Sequence, residues 1–286
     1  MRNHFVGPVI FSFVALVCFS WPAVAQVYFP AAAGGRSPEA KAAAAAAPKP
    51  KYDPHDLSGV WARVRTGDQR GGPIDTLMGG APAPPMTAWG KEQFNAHKPS
   101  QHEAEESRRV PPALGNDPLG KCDPLGYPRN LEGGPFELLQ TPTKLMQVFQ
   151  EGLRLREIWT DGRKIPDDVD PRWYGWAVAH WDGDSLIEES RGYDERTWLD
   201  GNGYPHSEDM RLEERYRHPD AMTLEIDMTL YDEKAYTKPW VGKTQRFQLL
   251  LPKDRTELYE WYCVPSEEES FNEGVRNPAG GLASKK

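Results

Sequence analysis

The sequence has few cysteines, no basic run and none of the common catalytic or metal-binding spacings. Three of its 286 residues are cysteine, and 34 Lys and Arg stand against 42 Asp and Glu, a net charge of −8 at pH 7. This acidic balance argues against nucleic acid and against anionic lipid surfaces as partners. No C-x-x-C, H-x-x-x-H, H-E-x-x-H or G-x-S-x-G is present, so no metal and no cofactor is predicted.

The N-terminus is typical of a secretory signal. An apolar run from Phe5 to Trp21 follows Arg2, and Ala23-Val24-Ala25 offers small residues for cleavage before Gln26. The run is short for a membrane span, and no later segment is long and apolar enough to be one. We therefore predict a signal peptide over residues 1–25, export to the periplasm, and no integral membrane segment after cleavage.

Export determines how the cysteines are interpreted. Cys18 lies within the predicted signal, and Val17 before it is too large for the usual lipobox, which disfavours the alternative of a lipoprotein. Cys122 and Cys263 remain as a pair in an oxidising compartment, so a disulfide between them is expected. A metal pair or a catalytic thiol is the competing interpretation.

Composition divides the mature chain into a linker, one domain and a tail. Residues 26–54 are rich in Ala and Pro and are predicted to be disordered. A single domain is expected over residues 55–268, with an irregular Pro- and Gly-rich wrap at 66–130. Within the wrap, "TAWGKEQFNAHK" predicts one short helix with Thr87 as its N-cap. Residues 269–286 are predicted to be a disordered tail.

The rest of the domain alternates between strand-like segments and turn signals. The predicted strands are residues 57–65, 144–150, 153–160, 173–181, 185–191, 207–217, 222–231, 244–251 and 257–264. Asp161-Gly162 and Asp182-Gly183 are typical of tight hairpin turns, which need positive φ. Sequential hairpins remove their edges by closing, so we predict an all-β fold, an antiparallel up-and-down barrel, with a β-sandwich as the alternative. Gly59-x-Trp61 resembles the lipocalin-like group, a weak signal.

One carboxylate interrupts the apolar face of a predicted strand. In "SEDMRLEERYR" Met210, Leu212 and Tyr216 share one face, and Glu214 has the same parity. Its carboxylate is therefore expected inside the barrel, where it must be paired, hydrogen-bonded or neutral. Arg156 is the predicted inward partner. The structural alternative is that Glu214 only neutralises this arginine.

The turn before that strand carries a second group of polar residues. His206 suits proton transfer near neutral pH, and Asp200 is placed to orient it. The alternative is a loop histidine that caps a turn with Ser207. Trp198 belongs to an unusually large set of indoles, which either pack the barrel or line a cavity.

Several clustered motifs resemble a large, mostly uncharacterised set of exported proteins from soil and aquatic bacteria. They include "TDGRK", "WDGDSLIEE", "TWLDGNGYPHSE" and "AYTKPW", together with "KCDPLGYPRN" and the late cysteine. The resemblance covers about residues 55–265 and implies an exported β-rich domain without a known reaction. The family pattern falls on Asp161, Gly162, Arg163, Trp198, Asp200, His206, Ser207, Glu214 and Arg215. His180 departs from it, because it stands where the family usually has an arginine.

Three functions from different classes remain open. The first is a periplasmic, lipocalin-like binder of a small aromatic or apolar molecule. The predicted ligand-binding residues are Trp198, Trp176, Arg156, Arg163, His180, Ser207 and Arg215. The second is a cofactor-free lyase, isomerase or hydrolase that uses the catalytic residues His206, Asp200 and Glu214. The third is a cell-envelope interaction module built on residues 66–130, with an unknown protein partner.

Overall fold

A computed structural model describes residues 52–64, 78, 81–100, 104–111, 114–132, 134–251, 257–260 and 262–271. The predicted signal peptide, its cleavage site and most of the predicted linker lie outside the described residues, as do residues 272–286 of the predicted tail. Across the described parts of the chain, no helix combines the length and the apolar character that crossing a membrane requires.

The described residues form ten strands, two α-helices and three short 3₁₀ helices. The strands are β1 (Gly59–Arg63), β2 (Phe136–Gln140), β3 (Lys144–Phe149), β4 (Arg154–Trp159), β5 (Trp176–Asp182), β6 (Ser185–Arg191), β7 (Arg211–Asp220), β8 (Thr223–Tyr231), β9 (Trp240–Val241) and β10 (Gln245–Leu249). The helices are α1 (Ala88–Ala96) and α2 (Pro265–Phe271). As predicted, Thr87 caps α1, and its hydroxyl accepts a hydrogen bond from the Gly90 amide at 3.1 Å. Helix α2 reaches three residues into the predicted tail.

The sheet closes on itself. Strands β1 to β8 pair in sequence, and β10 pairs with both β1 and β8, which gives a closed barrel of nine strands with β9 beside β8. Trp61 lies opposite Leu249, and Phe247 lies opposite Leu224. The predicted all-β barrel is therefore confirmed, and the sandwich alternative is not.

One pairing departs from the antiparallel prediction and makes the barrel mixed. Strands β4 and β5 run parallel, with Ile158 opposite Ala177 and Trp159 opposite Val178. The predicted Asp161-Gly162 turn forms, with a Gly162 φ of 82°, but no hairpin follows it. Pro166 and Pro171 come soon afterwards, and proline cannot donate a hydrogen bond to a strand ladder. The chain therefore crosses back to the other end of the barrel without adding a strand, and β5 begins there.

Three strand assignments differ between the sequence prediction and the structure. Strands β2 and β9 were not predicted, and the described residues of 257–264 form no strand. Strand β10 already has a partner on each side, so no free edge is left for a further strand. Cys263 is instead bonded to Cys122, with 5.3 Å between the Cα atoms, which confirms the predicted pair.

The two ends of the barrel are covered differently. Rim A carries the β2–β3, β5–β6 and β7–β8 turns, and rim B carries the β3–β4 connection and the long loop 192–210. Two segments lie over rim B. One is helix α1, and the other is residues 114–131, which we call the cap. Gly90 of α1 packs so closely that a Cβ there would lie 2.2 Å from the Ala235 carbonyl oxygen. The described part of the predicted wrap therefore packs onto the barrel.

Candidate functional site

Polar side chains form a cluster inside the barrel. Strand alternation points Gln147 of β3 and Arg156 of β4 inward, together with Glu188 of β6 and Glu214 of β7. All four are buried, between 0% and 2% exposed. The structure thus places the predicted Glu214–Arg156 pair in the interior and adds a second carboxylate.

Arg156 is the centre of this cluster. Its guanidinium forms a bidentate ion pair with Glu188. Nη2 also donates to Glu214 Oε2 at 3.0 Å and to Ser190 Oγ at 3.1 Å. Nη1 lies 3.5 Å from the Tyr216 hydroxyl. Because Glu188 and Glu214 face each other across β6 and β7, one cation bridges two carboxyl groups.

Small residues on β5 make this contact possible. Arg156 on β4 must reach over β5 to meet Glu188 on β6, and the inward residues of β5 at this level are Ala177 and Ala179. Their short side chains leave the space that the guanidinium crosses.

We expect Ala179→Leu to destabilise the fold. Overpacking a filled interior costs roughly 1–3 kcal/mol, and here the added branch also lies in the path of Arg156. Val178→Leu, on the outward face of the same strand, serves as the matched control and should change the free energy of unfolding by less than about 0.5 kcal/mol. Urea denaturation of both variants measures the two changes in the free energy of unfolding. Equal losses would contradict the inference that Ala179 leaves room for the Arg156 side chain.

The cap contributes an aromatic side chain to the cluster. The Tyr127 hydroxyl donates to Glu214 Oε1 at 2.5 Å, and the Arg156 guanidinium lies 3.7 Å from the centre of the Tyr127 ring. The preceding Gly126 has a φ of 76°, and a Cβ there would lie 2.5 Å from the Thr197 side chain. The cap is therefore packed between loop 192–210 and the barrel interior.

Charge balance sets the protonation of the cluster. Two ionised carboxylates beside one guanidinium would leave a net negative charge in a medium that solvates it poorly. Burial and then the neighbouring Glu188 raise the pKa of Glu214 to about 8, although Arg156 opposes the shift. Glu214 is thus mainly a neutral acid at pH 7. Burial also raises the pKa of Tyr127 and of Tyr216 above the usual range.

Two donors in the cluster lack an acceptor. Within the described part of the chain, Gln147 Nε2 and Arg156 Nε are buried and have no hydrogen-bond partner. The two residues lie directly opposite each other on β3 and β4. Buried polar atoms are rarely left unpaired, so these two donors are the least satisfied part of the cluster.

The predicted acid–base residues lie in loop 192–210 at rim B. His206 is buried, Nε2 is 2.7 Å from Thr197 Oγ1, and Nδ1 is 3.0 Å from the Ser207 carbonyl oxygen. Burial lowers the pKa of His206. The Asp200 carboxylate instead accepts hydrogen bonds from the Asn202 and Tyr204 amides, and burial raises its pKa to about 6. The described hydrogen bonds therefore bring His206 together with neither Asp200 nor Glu214.

The other members of loop 192–210 are also occupied by structural contacts. The Ser207 hydroxyl donates to Asp232 Oδ1 at 2.9 Å. Trp198 is buried and stacks on His97, with 4.6 Å between the ring centres. The sequence stretch that suggested an open lip is a loop buried beneath the cap.

The remaining predicted ligand-binding residues lie on the outside of the barrel. Arg163 is exposed and pairs with Asp161, and His180 is exposed on β5. Arg215 is exposed and lies 3.9 Å from Asp182. Trp176 is partly exposed and donates to the Asp170 carbonyl at 3.0 Å. The structure does not gather these four side chains around one point.

Four residues of the interior cluster were missed in the sequence. Glu188 and Ser190 share the inward parity of Leu186, and Gln147 shares that of Leu145 and Phe149, so alternation could have found them. Tyr127 could not have been found in this way, because it belongs to an irregular segment 87 residues before Glu214.

A small cleft opens at rim A. Strand β4 ends at Trp159, whereas β5 continues past it to Asp182, so the two strands separate there. The cleft between them has a volume of about 170 Å³. Its lining residues are Gln140, Thr141, Pro142, Leu145, Thr160, Trp181 and Leu186.

Fold and site together define an all-β barrel, closed and mixed, with a buried ion cluster inside and a cleft at one rim. Among the described residues no group of three or more His, Cys, Asp or Glu is arranged to hold a metal ion. No family model, no curated protein and no solved structure matches the chain. The resemblance to the exported bacterial set therefore depends on the quoted motifs alone.

Proposed function

We propose that the protein binds a small aromatic or apolar molecule in the cleft at rim A. The cleft itself carries this proposal: its volume of about 170 Å³ is similar to that of an apolar protein cavity known to accept benzene, roughly 150 Å³. A ligand of one aromatic ring matches that volume. The lipocalin-like mode of binding inside the barrel is not adopted, because the Arg156 cluster and large aromatic side chains occupy the interior.

The chemistry of the lining supports an aromatic ligand. Trp181 offers a flat surface, and Leu145 and Leu186 offer aliphatic contacts. Thr160 supplies a hydroxyl group at the edge. Small-molecule sites commonly combine apolar contacts with a few polar groups.

The proposal includes export to the periplasm. The sequence of the first 25 residues is typical of a signal peptide, and a Cys122–Cys263 disulfide suits an oxidising compartment.

The two alternative functions receive less support. An enzyme with His206 as acid or base would need a partner group near its ring, and the described contacts of His206 are Thr197 and a backbone carbonyl. An interaction module at 66–130 would need a free segment, whereas Tyr127 and Arg129 are buried in the folded structure.

Replacing one indole should test the proposal. We expect the purified protein to bind indole or toluene, and Trp181→Ala to weaken binding at least about tenfold, because anchoring aromatic side chains often contribute more than about 1.4 kcal/mol. Isothermal titration calorimetry measures both affinities. Trp176→Ala on the outward face of the same strand is the matched control. Absence of binding, or equal losses in both variants, would refute the cleft as a site.

A further inference from the structure

The pairing between β4 and β5 is short and leaves part of β5 as a sheet edge. The two strands pair through two residues each, the last pair being Trp159 and Val178, whereas β5 and β6 pair through seven. The Thr160 amide, next along the chain, donates to the Thr143 carbonyl on the other side of β4. Within the described part of the chain, residues 180–182 of β5 therefore have a strand partner on one side only. Such an edge can pair with a further strand.

The segment that connects β4 to β5, residues 161–175, does not pair with this edge. Its described hydrogen bonds to the rest of the chain reach Asn130, Trp176 and residues 191–194. All of these partners lie towards rim B. The edge at residues 180–182 lies at rim A, beside the cleft, and stays open to it.

The free main-chain groups of the edge belong to Trp181. Asp182 and Ser185 flank the two-residue turn of Gly183 and Asp184, and the pair that closes such a hairpin exchanges both of its hydrogen bonds. The neighbouring residue in an antiparallel strand directs its N–H and C=O to the opposite side. The Trp181 N–H and C=O therefore point away from β6. No hydrogen bond from a described residue reaches either group.

One residue of an added antiparallel strand can satisfy both groups. Its carbonyl would accept from the Trp181 N–H, and its amide would donate to the Trp181 C=O. Directly paired residues place their side chains on the same face of a sheet. Because the Trp181 indole lines the cleft, the side chain of the added residue would enter the cleft as well. The cleft volume of about 170 Å³ suits one aromatic ring.

The surface beside the edge is acidic. The Asp182 and Asp184 side chains are 67% and 77% exposed, and their described basic neighbours are Arg215 at 3.9 Å and His55 at 3.5 Å. In an antiparallel strand, the residue before the one paired with Trp181 lies opposite Asp182. Charge complementarity favours a basic side chain there. An exposed ion pair adds little affinity, so this contact selects the direction of the added strand.

We propose that rim A binds an extended peptide, which adds a short antiparallel strand to the β5 edge. The peptide has a basic residue followed by an aromatic one. The aromatic residue exchanges two main-chain hydrogen bonds with Trp181 and places its ring in the cleft. In strand addition of this kind, main-chain hydrogen bonds supply affinity and a side-chain pocket supplies specificity. The peptide site rests on the proposed function, because it uses the same cleft, and adds the class of ligand.

The test compares acetyl-Lys-Phe-Ala-amide with the same peptide methylated on the main-chain nitrogen of Phe. The methyl group removes the N–H that donates to the Trp181 carbonyl and leaves the ring and the charge unchanged. We expect the parent peptide to bind about tenfold more tightly, as the loss of one net hydrogen bond from a crowded edge predicts. Isothermal titration calorimetry measures both affinities. Toluene, titrated in the same way, reports binding to the cleft alone.

Amide hydrogen exchange of the wild-type protein, followed by NMR, gives a second measurement. Saturation with the parent peptide should slow exchange of the Trp181 amide at least about tenfold, because that amide becomes hydrogen-bonded. The His180 amide faces β6 in the ladder and serves as the matched control, so its rate should stay unchanged. Toluene has no main chain and should not slow the Trp181 amide.

The outcomes separate the peptide site from the proposed function. If toluene binds and the two peptides bind equally, the cleft accepts an aromatic ring and the β5 edge plays no part. The peptide site is also refuted if toluene binds and the parent peptide does not. A parent peptide that binds without slowing the Trp181 amide leads to the same conclusion. If neither toluene nor the parent peptide binds, the proposed function fails and the peptide site fails with it.

Discussion

Replacing Arg156 with Met is expected to lower the free energy of unfolding at pH 7 by about 3–5 kcal/mol, the cost of removing one partner from a buried ion pair. Methionine retains much of the side-chain volume, so the main loss is the charge that Glu188 and Glu214 share. Glu188, which faces the mainly neutral Glu214, would then lack the cation that it pairs with, in a medium of low polarity. Urea denaturation monitored by circular dichroism measures the effect.

The same strand offers the control for this prediction. Arg154 lies two residues before Arg156 and is exposed, so Arg154→Met should change stability by less than about 0.5 kcal/mol. The loss in Arg156→Met should also shrink at pH 5, because protons can replace the missing cation on the carboxyl groups. A loss that is equal for both arginines, or that is independent of pH, would show that the cluster does not depend on its cation.

The second large effect is a fall in stability with rising pH that depends on Glu214. Its pKa is about 8 in the folded protein, against an ordinary value of 4.5. Below pH 4.5 the carboxyl holds its proton in both states, and its contribution is fully present. Between pH 4.5 and 8 only the folded state keeps the proton, so the contribution decreases, by up to roughly 5 kcal/mol above pH 8.

Glu214→Gln should remove this dependence. The amide is neutral at every pH and retains one oxygen for the Tyr127 hydrogen bond, whereas its NH2 group replaces the oxygen that accepts from Arg156. The variant should therefore be less stable than the wild type near pH 5 and should gain on it steadily as the pH rises towards 8. Denaturation at several pH values between 5 and 9 gives the difference curve, which also cancels the similar but lower contribution of Asp200, whose pKa is about 6. Glu189→Gln, an exposed change on β6, should leave the slope unaltered. Parallel curves for Glu214→Gln and the wild type would disprove a neutral Glu214.

These expectations depend on a cluster that only partly followed from the sequence. Alternation along β7 assigned Glu214 to the inner face, and Arg156 was its predicted partner. The same rule applied to β6 would have added Glu188. The alternation of β5 likewise faces Ala177 and Ala179 inward, but their role as open space follows only from the contact across them.

The functional predictions fared differently because they depended on contacts between distant segments. His206, Asp200 and Trp198 are close in the sequence and suggested an exposed mouth. In the folded protein the cap buries them at rim B, and the cleft lies at rim A, where the parallel β4–β5 pairing ends.

The sequence by itself determined most of the strand segments, which side of those strands is apolar, where α1 begins and that two cysteines remain to pair. These features depend on side-chain alternation, capping and composition, which act over a few residues. The tertiary structure alone decided the parallel pairing, the meeting of Tyr127 with Glu214, and the position of the cleft. Closure of the barrel sets these, because it fixes the register between strands and thereby which inward side chains meet across the interior.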